Sequence, residues 1–260
     1  METVSALSES DRSLLAGISE GKSVTNLQTS SSKYRELVIG ILLQCADSEM
    51  AGGLGFAAAL SLPPSLAEKT ALARIAYEKL TLADKTYQLA AQTGINIDKY
   101  IASHCWEARL GRSAVLEYKR ISADKRLNAL HFPIECWSDL IVFTYMMASV
   151  ACLQLEDFCS SSFEPWSELA STHLPIEKSH KEFGLSALRK ASHSESELTA
   201  IRLSFNYWYE KVLACCGPPS SVRNALFLGF KLKASKNEDI AKRWQAEMAE
   251  TFANLNVIVD

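Results

Sequence analysis

The chain has 260 residues, of which 48% are hydrophobic, so it can bury a large core and one domain is the default expectation. Its 27 basic and 30 acidic residues give a formal charge of −3, which disfavours a general nucleic-acid binder because such proteins usually carry a basic excess. The seven cysteines form no CxxC pair, and the N-terminus lacks the basic start and apolar segment of a secretory signal. These features predict a cytoplasmic protein with reduced thiols and no membrane span.

The N-terminal segment differs in composition from the rest of the chain. Residues 1–32 are rich in Ser and Thr with weak periodicity, which predicts a flexible arm with one short helix near residues 11–18. Residues 33–260 are predicted to form one helical domain. Its first helix, over residues 33–60, is hydrophobic on nearly every side, so we expect it to be central.

The second long helix has clear start and stop signals. Ser65 is a predicted N-cap, and Glu68 three residues later would complete a capping box. This helix is predicted over residues 66–93 and ends at Gly94, a residue type that favours the turn after a helix. Shorter helices and turns are expected over residues 97–132.

Two further long helices follow, over residues 134–159 and 166–191. The third contains the apolar run "LIVFTYMMASVACLQL", which is typical of a core helix. Pro175 lies inside the fourth, and because proline removes a backbone donor it predicts either a kink or a break there.

The C-terminal third contains one more long helix and two shorter ones. "ESELTAIRLSFNYWYEKVLACCG" predicts the fifth long helix, which ends at Gly217, and residues 221–230 and 237–252 predict the short ones. Period-2 alternation is almost absent. The predicted fold class is therefore all-α, with four long helices as the frame of a bundle.

Four side chains in the long helices match part of a di-metal layout. In four-helix bundles with such a site, one helix supplies a Glu or Asp, the next supplies Glu-x-x-His, and the motif recurs in the second pair of helices. Glu49 lies in the first long helix and Glu78 in the second. Glu177 and His180 lie three apart in the fourth, which places them on one helix face. These four residues are the predicted metal ligands.

Two positions of that layout carry the wrong residue type. Thr81 stands where the first histidine would be needed, and Ala148 stands where the third long helix would supply its acid. Four of six ligand positions therefore remain. They could hold one metal ion, or two with more solvent ligands.

The Glu177/His180 pair and Glu49 each have an interpretation that needs no metal. Glu-x-x-His often occurs by chance, as a pair on a helix surface. Glu49 lies among apolar and small residues in "LLQCADSEMAGGLG", where an acid is rarely buried without a partner. That partner is either a metal ion or a buried Arg or Lys.

Five stretches of the sequence are distinctive: "QCADSE", "HFPIECWSDLIVF", "SSSFEPW" followed by the Glu177/His180 pair, "NYWYEKVLACCGPP" and "GFKLKASKNEDIAKRW". They resemble stretches of a known family, the phenylacetic acid catabolic proteins, which include the catalytic subunit of phenylacetyl-CoA epoxidase. They occur in the family's order and extend from about residue 34 to the C-terminus.

The resemblance implies a ferritin-like four-helix bundle that belongs to the multicomponent di-iron monooxygenases. In these systems a di-iron centre activates O₂ and oxygenates an aromatic ring carried as a CoA thioester, and a separate reductase supplies electrons. The four predicted ligands match the family's ligand positions, which implies one or two iron ions, with manganese as another possibility for such O/N ligands.

Other side chains near the predicted site are interpreted as structural. The residues considered are Asp84, His104, Tyr145, Cys152 and His173. Lys231, Lys233 and Lys236 form a basic cluster that would suit the phosphates of a CoA-type substrate, although a solvated run of charge explains it as well.

Two functions follow from these observations. The first is a metal-dependent, di-iron-type monooxygenase-like protein that acts on an aromatic or acyl-CoA-type substrate. The second is a non-catalytic structural or regulatory subunit of such a complex that has lost its metal site. In both cases we expect an oligomer with a reductase and another subunit as partners, and no nucleic acid or membrane.

Overall fold

The computed structural model describes residues 7–114, 124–219 and 221–257, which form nine α-helices and one isolated bridge between Val24 and Phe163. The helices are α1 (Glu9–Ser19), α2 (Ser32–Ala58), α3 (Leu66–Ala91), α4 (Ile97–Ala102), α5 (Trp137–Phe158), α6 (Glu164–Ala191), α7 (Glu195–Leu213), α8 (Val222–Gly229) and α9 (Asn237–Asn254). No strand is found in these described ranges, which confirms the all-α prediction.

The four longest helices form the ferritin-like bundle. The most extensive contacts join α2 to α3 and α5 to α6, and α3 also contacts α6. Because each of the first two pairs is joined by a short connection, its helices run antiparallel. The helices α7 and α9 pack against the outer side of α5. This architecture confirms the predicted four-helix frame.

Local sequence signals explain where α3 begins. The Ser65 Oγ accepts a hydrogen bond from the Glu68 backbone N–H at 3.2 Å, and the Glu68 carboxylate accepts one from the Ser65 backbone N–H at 3.2 Å. The predicted capping box is therefore present. Gly94 follows the helix with a positive φ of 90°, a conformation that favours glycine.

The helix α6 runs without interruption from Glu164 to Ala191 and passes through Pro175. Of the two alternatives for this proline, a kink or a break, the break is therefore absent. Continuity matters for the site because the Glu177 and His180 side chains keep the spacing of one helical turn.

Two of the bundle helices satisfy the length and composition expected of a membrane span. They are Ser32–Ser61, which includes a short 3₁₀ turn, and Trp137–Phe158. Most of each apolar segment, 67% and 78% respectively, is buried inside the protein. Burial in a bundle accounts for their hydrophobicity, since central helices are apolar on all sides.

The described part of the predicted arm contacts the bundle. Leu7, Ile18, Val24 and Leu27 are buried. The Val24 backbone N–H donates to the Ser162 carbonyl at 2.8 Å, which ties this segment to the start of α6. The boundary at residue 32 and the flexibility of the arm stay predictions, and residues 1–6 lie outside the described ranges.

The close packing of α5 and α6 depends on Gly184. A Cβ atom at this position would lie 2.7 Å from the Tyr145 backbone N, a distance that forces the two helices apart. We expect Gly184→Ala to lower the free energy of unfolding by about 1–3 kcal/mol, because overpacking strains the backbone. Urea unfolding followed by circular dichroism measures this loss.

Gly52 in α2 provides the matched control. A Cβ there would lie 3.5 Å from the nearest side-chain atom, which is an ordinary contact. Gly52→Ala should therefore be neutral or stabilising by up to about 1 kcal/mol, since alanine favours the helix more than glycine does. Equal losses in the two variants would contradict the close-approach argument.

Candidate functional site: an internal ion cluster

The four predicted ligands meet between α2, α3 and α6, but a fifth side chain lies among them. The Lys79 Nζ is 3.2 Å from the Glu49 Oε2 and 3.1 Å from the Glu177 Oε2. His180 links Glu177 to the third acid, Glu78: its Nδ1 is 3.1 Å from the Glu177 Oε2 and its Nε2 is 2.8 Å from the Glu78 Oε2. The residues form one continuous network that we call the ion cluster (Glu49, Glu78, Lys79, Glu177 and His180).

The ion cluster is buried at its centre and reaches solvent at one end. The Lys79 side chain is 11% exposed and the Glu177 side chain is 4% exposed. At the outer end the Arg74 Nε donates to the Glu78 Oε1 at 2.7 Å, and the Arg74 side chain is 76% exposed. The network therefore leads from a surface guanidinium to a buried ammonium.

The helices α2 and α3 pack closely beside the Lys79 side chain. The Lys79 side chain passes 3.5 Å from the position that a Cβ of Gly52 would take. At the adjacent Gly53 a Cβ would lie 2.7 Å from the Leu80 Cγ and 3.2 Å from the Ala76 carbonyl oxygen, so α2 and α3 approach closely here. This close approach brings Lys79 across to Glu49 on the facing helix.

The charge pattern fixes the ionisation of the central groups. Burial by itself would raise the pKa of Glu177, but Lys79 and His180 act against it and lower this pKa to about 2. Burial would likewise lower the pKa of Lys79, yet Glu177 and Glu49 raise it above its usual value. Burial raises the pKa of Glu49 despite Lys79. Lys79 is therefore a cation and Glu177 an anion at neutral pH.

The observed arrangement does not fit an iron ion. A protonated lysine has three donors and no lone pair, so it cannot be a ligand, and it lies where Glu49 and Glu177 converge. Both ring nitrogens of His180 face carboxylate oxygens, whereas a metal-bound imidazole presents an unprotonated nitrogen to the metal. Within the described residues, no three His, Cys, Asp or Glu side chains are placed to hold a metal.

The two departures from the ligand layout take no part in the ion cluster. The Thr81 Oγ1 donates to the Tyr77 carbonyl of its own helix at 2.8 Å. Ala148 is buried and lines an apolar cavity of about 70 Å³ that Glu49, Lys79 and His180 also border. Neither position provides a metal ligand.

The other acids and cysteine near the site have structural contacts. Asp47, next to Glu49 in the sequence, accepts hydrogen bonds from the Tyr87 and Tyr100 hydroxyls at 2.7 Å each. Asp84 is exposed and accepts from the Gln88 side chain, and burial raises the pKa of the Cys152 thiol to about 12. These contacts agree with the structural interpretation.

The aromatic candidates are held away from the ion cluster by other partners. The Tyr145 hydroxyl contacts Glu247 and Thr251 in α9, and the His104 Nδ1 contacts the Tyr100 carbonyl oxygen. The structure gives each of these side chains a packing function.

The three C-terminal lysines do not form one patch. The Lys231 Nζ donates to the Ile18 carbonyl oxygen, and the Lys236 Nζ lies 3.9 Å from the Glu238 carboxylate. Lys233 is buried instead. The phosphate patch considered from the sequence is therefore divided among separate environments.

Lys79 is the residue that sequence reasoning missed. A lysine directly after a glutamate in "AYEKLTLADK" is typical of a solvated helix face, and the four-ligand layout assigns it no function. The useful signal was Glu49, because an acid among apolar neighbours needs a partner. A buried Lys or Arg was one of the two alternatives for that partner. The structure contains that alternative.

The fold and the ion cluster define a class, that of ferritin-like helical bundles in which carboxylates and a histidine converge between the long helices. The chain belongs to the phenylacetic acid catabolic protein family, whose model matches residues 22–259. The family resemblance is thereby confirmed, and it associates the chain with phenylacetate catabolism. No curated protein matches the chain.

Removal of the ammonium should destabilise the protein strongly. Lys79→Met keeps much of the side-chain volume but leaves the Glu49 and Glu177 carboxylates buried without their shared cation. We expect a loss of about 3–5 kcal/mol in the free energy of unfolding, because an uncompensated buried charge is costly. Chemical denaturation at pH 7 measures it.

Lys85 on the same helix is exposed and serves as the matched control. Lys85→Met should change the free energy of unfolding by less than about 0.5 kcal/mol, as surface substitutions usually do. If Lys79→Met were as mild as this control, the ammonium would not hold the ion cluster together.

His173 lies about two helical turns before His180 and gives a separate pH prediction. It is buried, its Nε2 has no hydrogen-bond partner among the described residues, and burial lowers its pKa from 6.5 to about 4. The unfolded chain binds this proton between pH 6.5 and 4 and the folded chain does not. Stability from this group is therefore complete above pH 6.5 and decreases as the pH falls to 4, by about 3 kcal/mol.

The variant His173→Gln removes this proton-binding group. The decrease in unfolding free energy between pH 6.5 and 4 should be smaller in His173→Gln than in the wild type. His193→Gln, at an exposed histidine, should retain the wild-type slope. Parallel urea titrations across this pH range measure all three proteins, and identical slopes would show that His173 does not titrate as stated.

Proposed function

We propose that the chain is a non-catalytic, structural or regulatory subunit of a multicomponent oxygenase in phenylacetate catabolism. The observation that carries this proposal is the Lys79 ammonium between Glu49 and Glu177, where a metal ion would need these carboxylates. A covalently attached cation balances the acids but has no electrons to give to O₂ and no open coordination position. The ion cluster then serves the fold.

The retained acids support this proposal once their partner is considered. A scaffold has little reason to keep buried carboxylates that lack compensation, because their desolvation is costly. Here Lys79 and His180 supply that compensation and connect α2, α3 and α6. A structural function therefore accounts for four of the six ligand positions as well as for the loss of two.

The proposal places the oxygen chemistry in a companion subunit. That subunit would hold the iron and receive electrons from the reductase, and a CoA-thioester substrate would bind there. The present chain would contribute its helical surface to a cytoplasmic oligomer. Family membership supports companion subunits in a multicomponent system, and the position of Lys79 supports this division of functions.

A metal-dependent monooxygenase-like function is the competing proposal. Its support is the convergence of Glu49, Glu78, Glu177 and His180, beside an apolar cavity of about 70 Å³. For iron or manganese to bind, Lys79 would have to leave the ion cluster and His180 would have to turn an unprotonated nitrogen to the metal. This proposal therefore needs a large rearrangement of buried charge.

Metal analysis of the full-length protein separates the two proposals. We expect protein purified from iron-supplemented cells to contain close to no bound iron or manganese, because Lys79 takes the place of the ion. Roughly one or two ions per chain, bound through the four O/N ligands, would contradict the non-catalytic proposal.

The variant Glu177→Gln adds a measurement of the melting temperature to the metal analysis. In the proposed subunit it should lower the melting temperature of metal-free protein, since Lys79 loses a charged partner. Glu156→Gln, at a partly exposed acid paired with Lys178 and Arg243, provides the control and should have little effect. A Glu177→Gln effect seen only as a loss of bound metal would favour the oxygenase.

A further inference from the structure

A second cavity lies between α2, α5, α8 and the start of α9, and none of the ion-cluster residues lines it. Its volume is about 310 Å³, within the range of ligand pockets. Ile41, Leu127, Phe158 and Phe227 give part of its wall a hydrophobic surface. No Asp or Glu is found among the described residues that line it. The cavity is therefore large enough for a small molecule and has no acidic side chain at its wall.

A turn after α8 brings Lys233 to this cavity. Lys231 has a positive φ of 50°, a conformation that is typical of turns. The Leu232 backbone N–H then donates to the Phe227 carbonyl at 2.8 Å. Lys231 stays exposed, whereas Leu232 and Lys233 are buried and Lys233 lines the cavity. The turn therefore places one lysine of the C-terminal run inside the protein.

The Lys233 side chain has a neutral hydrogen-bond partner. Its Nζ donates to the Asn237 Oδ1 at 3.2 Å, and within the described residues no carboxylate oxygen lies within 4.0 Å of it. Burial lowers the pKa of Lys233, although Asp157 acts against it from a greater distance. Lys233 therefore carries a larger fraction of neutral amine at neutral pH than a solvated lysine does.

The thiols on the same wall are weaker nucleophiles than this amine. Cys45, Cys215 and Cys216 line the cavity. Burial raises the pKa of Cys45 and Cys215 to about 12 and that of Cys216 to about 11. Because the thiolate and not the thiol attacks electrophiles, these cysteines are unreactive at neutral pH. Lys233 is therefore the strongest nucleophile among the described side chains of the cavity.

We propose that Lys233 forms an imine with a small aliphatic aldehyde that enters this cavity. The lysine nitrogen attacks the carbonyl carbon, and the carbonyl oxygen leaves as water with two protons from the ammonium. The product is a protonated imine that keeps the positive charge, so the step needs no oxidant or reductant. A lysine desolvated in a hydrophobic pocket is suited to this reaction with carbonyl compounds. The apolar wall packs against the alkyl part of the aldehyde.

Reductive trapping on the full-length protein tests this proposal with propanal as the probe. Sodium cyanoborohydride reduces the imine to a stable secondary amine, and peptide mass spectrometry follows each lysine at neutral pH. Lys233 should be modified at least about tenfold faster than the exposed Lys236, since an aldehyde held beside the amine has a high effective concentration. Its rate should saturate with propanal concentration, whereas the Lys236 rate should rise linearly. Lys79, buried but paired with two carboxylates, should stay unmodified.

Two variants check the assignment. Lys233→Arg keeps the positive charge and should lose the fast, saturable reaction, whereas Lys236→Arg should retain it. If Lys233→Arg does not fold by circular dichroism, saturation at Lys233 of the wild type decides by itself. The proposal is overturned if Lys233 reacts no faster than Lys236, if its rate does not saturate, or if the fast reaction persists in folded Lys233→Arg. None of these measurements depends on the metal content of the ion cluster.

Discussion

The ion pairs that Lys79 forms with Glu49 and Glu177 are the constraint on which the centre of this bundle depends. Three carboxylates lie between α2, α3 and α6, and each one needs a polar or charged partner close by because these side chains are at most 16% exposed. Lys79 and the outer Arg74 supply positive charge, and the His180 ring lies within hydrogen-bond distance of Glu177 and Glu78. Without the ammonium, the same acids would repel one another inside the protein.

This internal cation also explains features of the surrounding packing. Gly53 lets α3 approach α2 closely enough for the long Lys79 side chain to cross to Glu49. The uninterrupted course of α6 through Pro175 keeps Glu177 and His180 on one face. Packing and charge are therefore coupled: the helices must be close for the ions to meet, and the ions hold the three helices together.

Sequence reasoning recovered the fold because its signals are local. Helical periodicity, the Ser65 capping box and the near absence of alternation predicted the helices, and spacing predicted that Glu177 and His180 share a face. It missed Lys79 because the direction of this side chain depends on how α3 is rotated against α2, a property that neighbouring residues do not encode. The burial of Glu49 could be predicted, whereas the choice between metal and lysine required the packed structure.

The Lys79 ammonium lies at the point where Glu49 and Glu177 converge, in the place that a metal ion would need. A crystal structure of protein from iron-supplemented cells, with anomalous data collected at the iron absorption edge, tests this most directly. We expect ordinary density for Lys79 Nζ within hydrogen-bond distance of both carboxylates and no anomalous peak in the ion cluster. An iron peak between these carboxylates, with Lys79 turned away, would contradict the account.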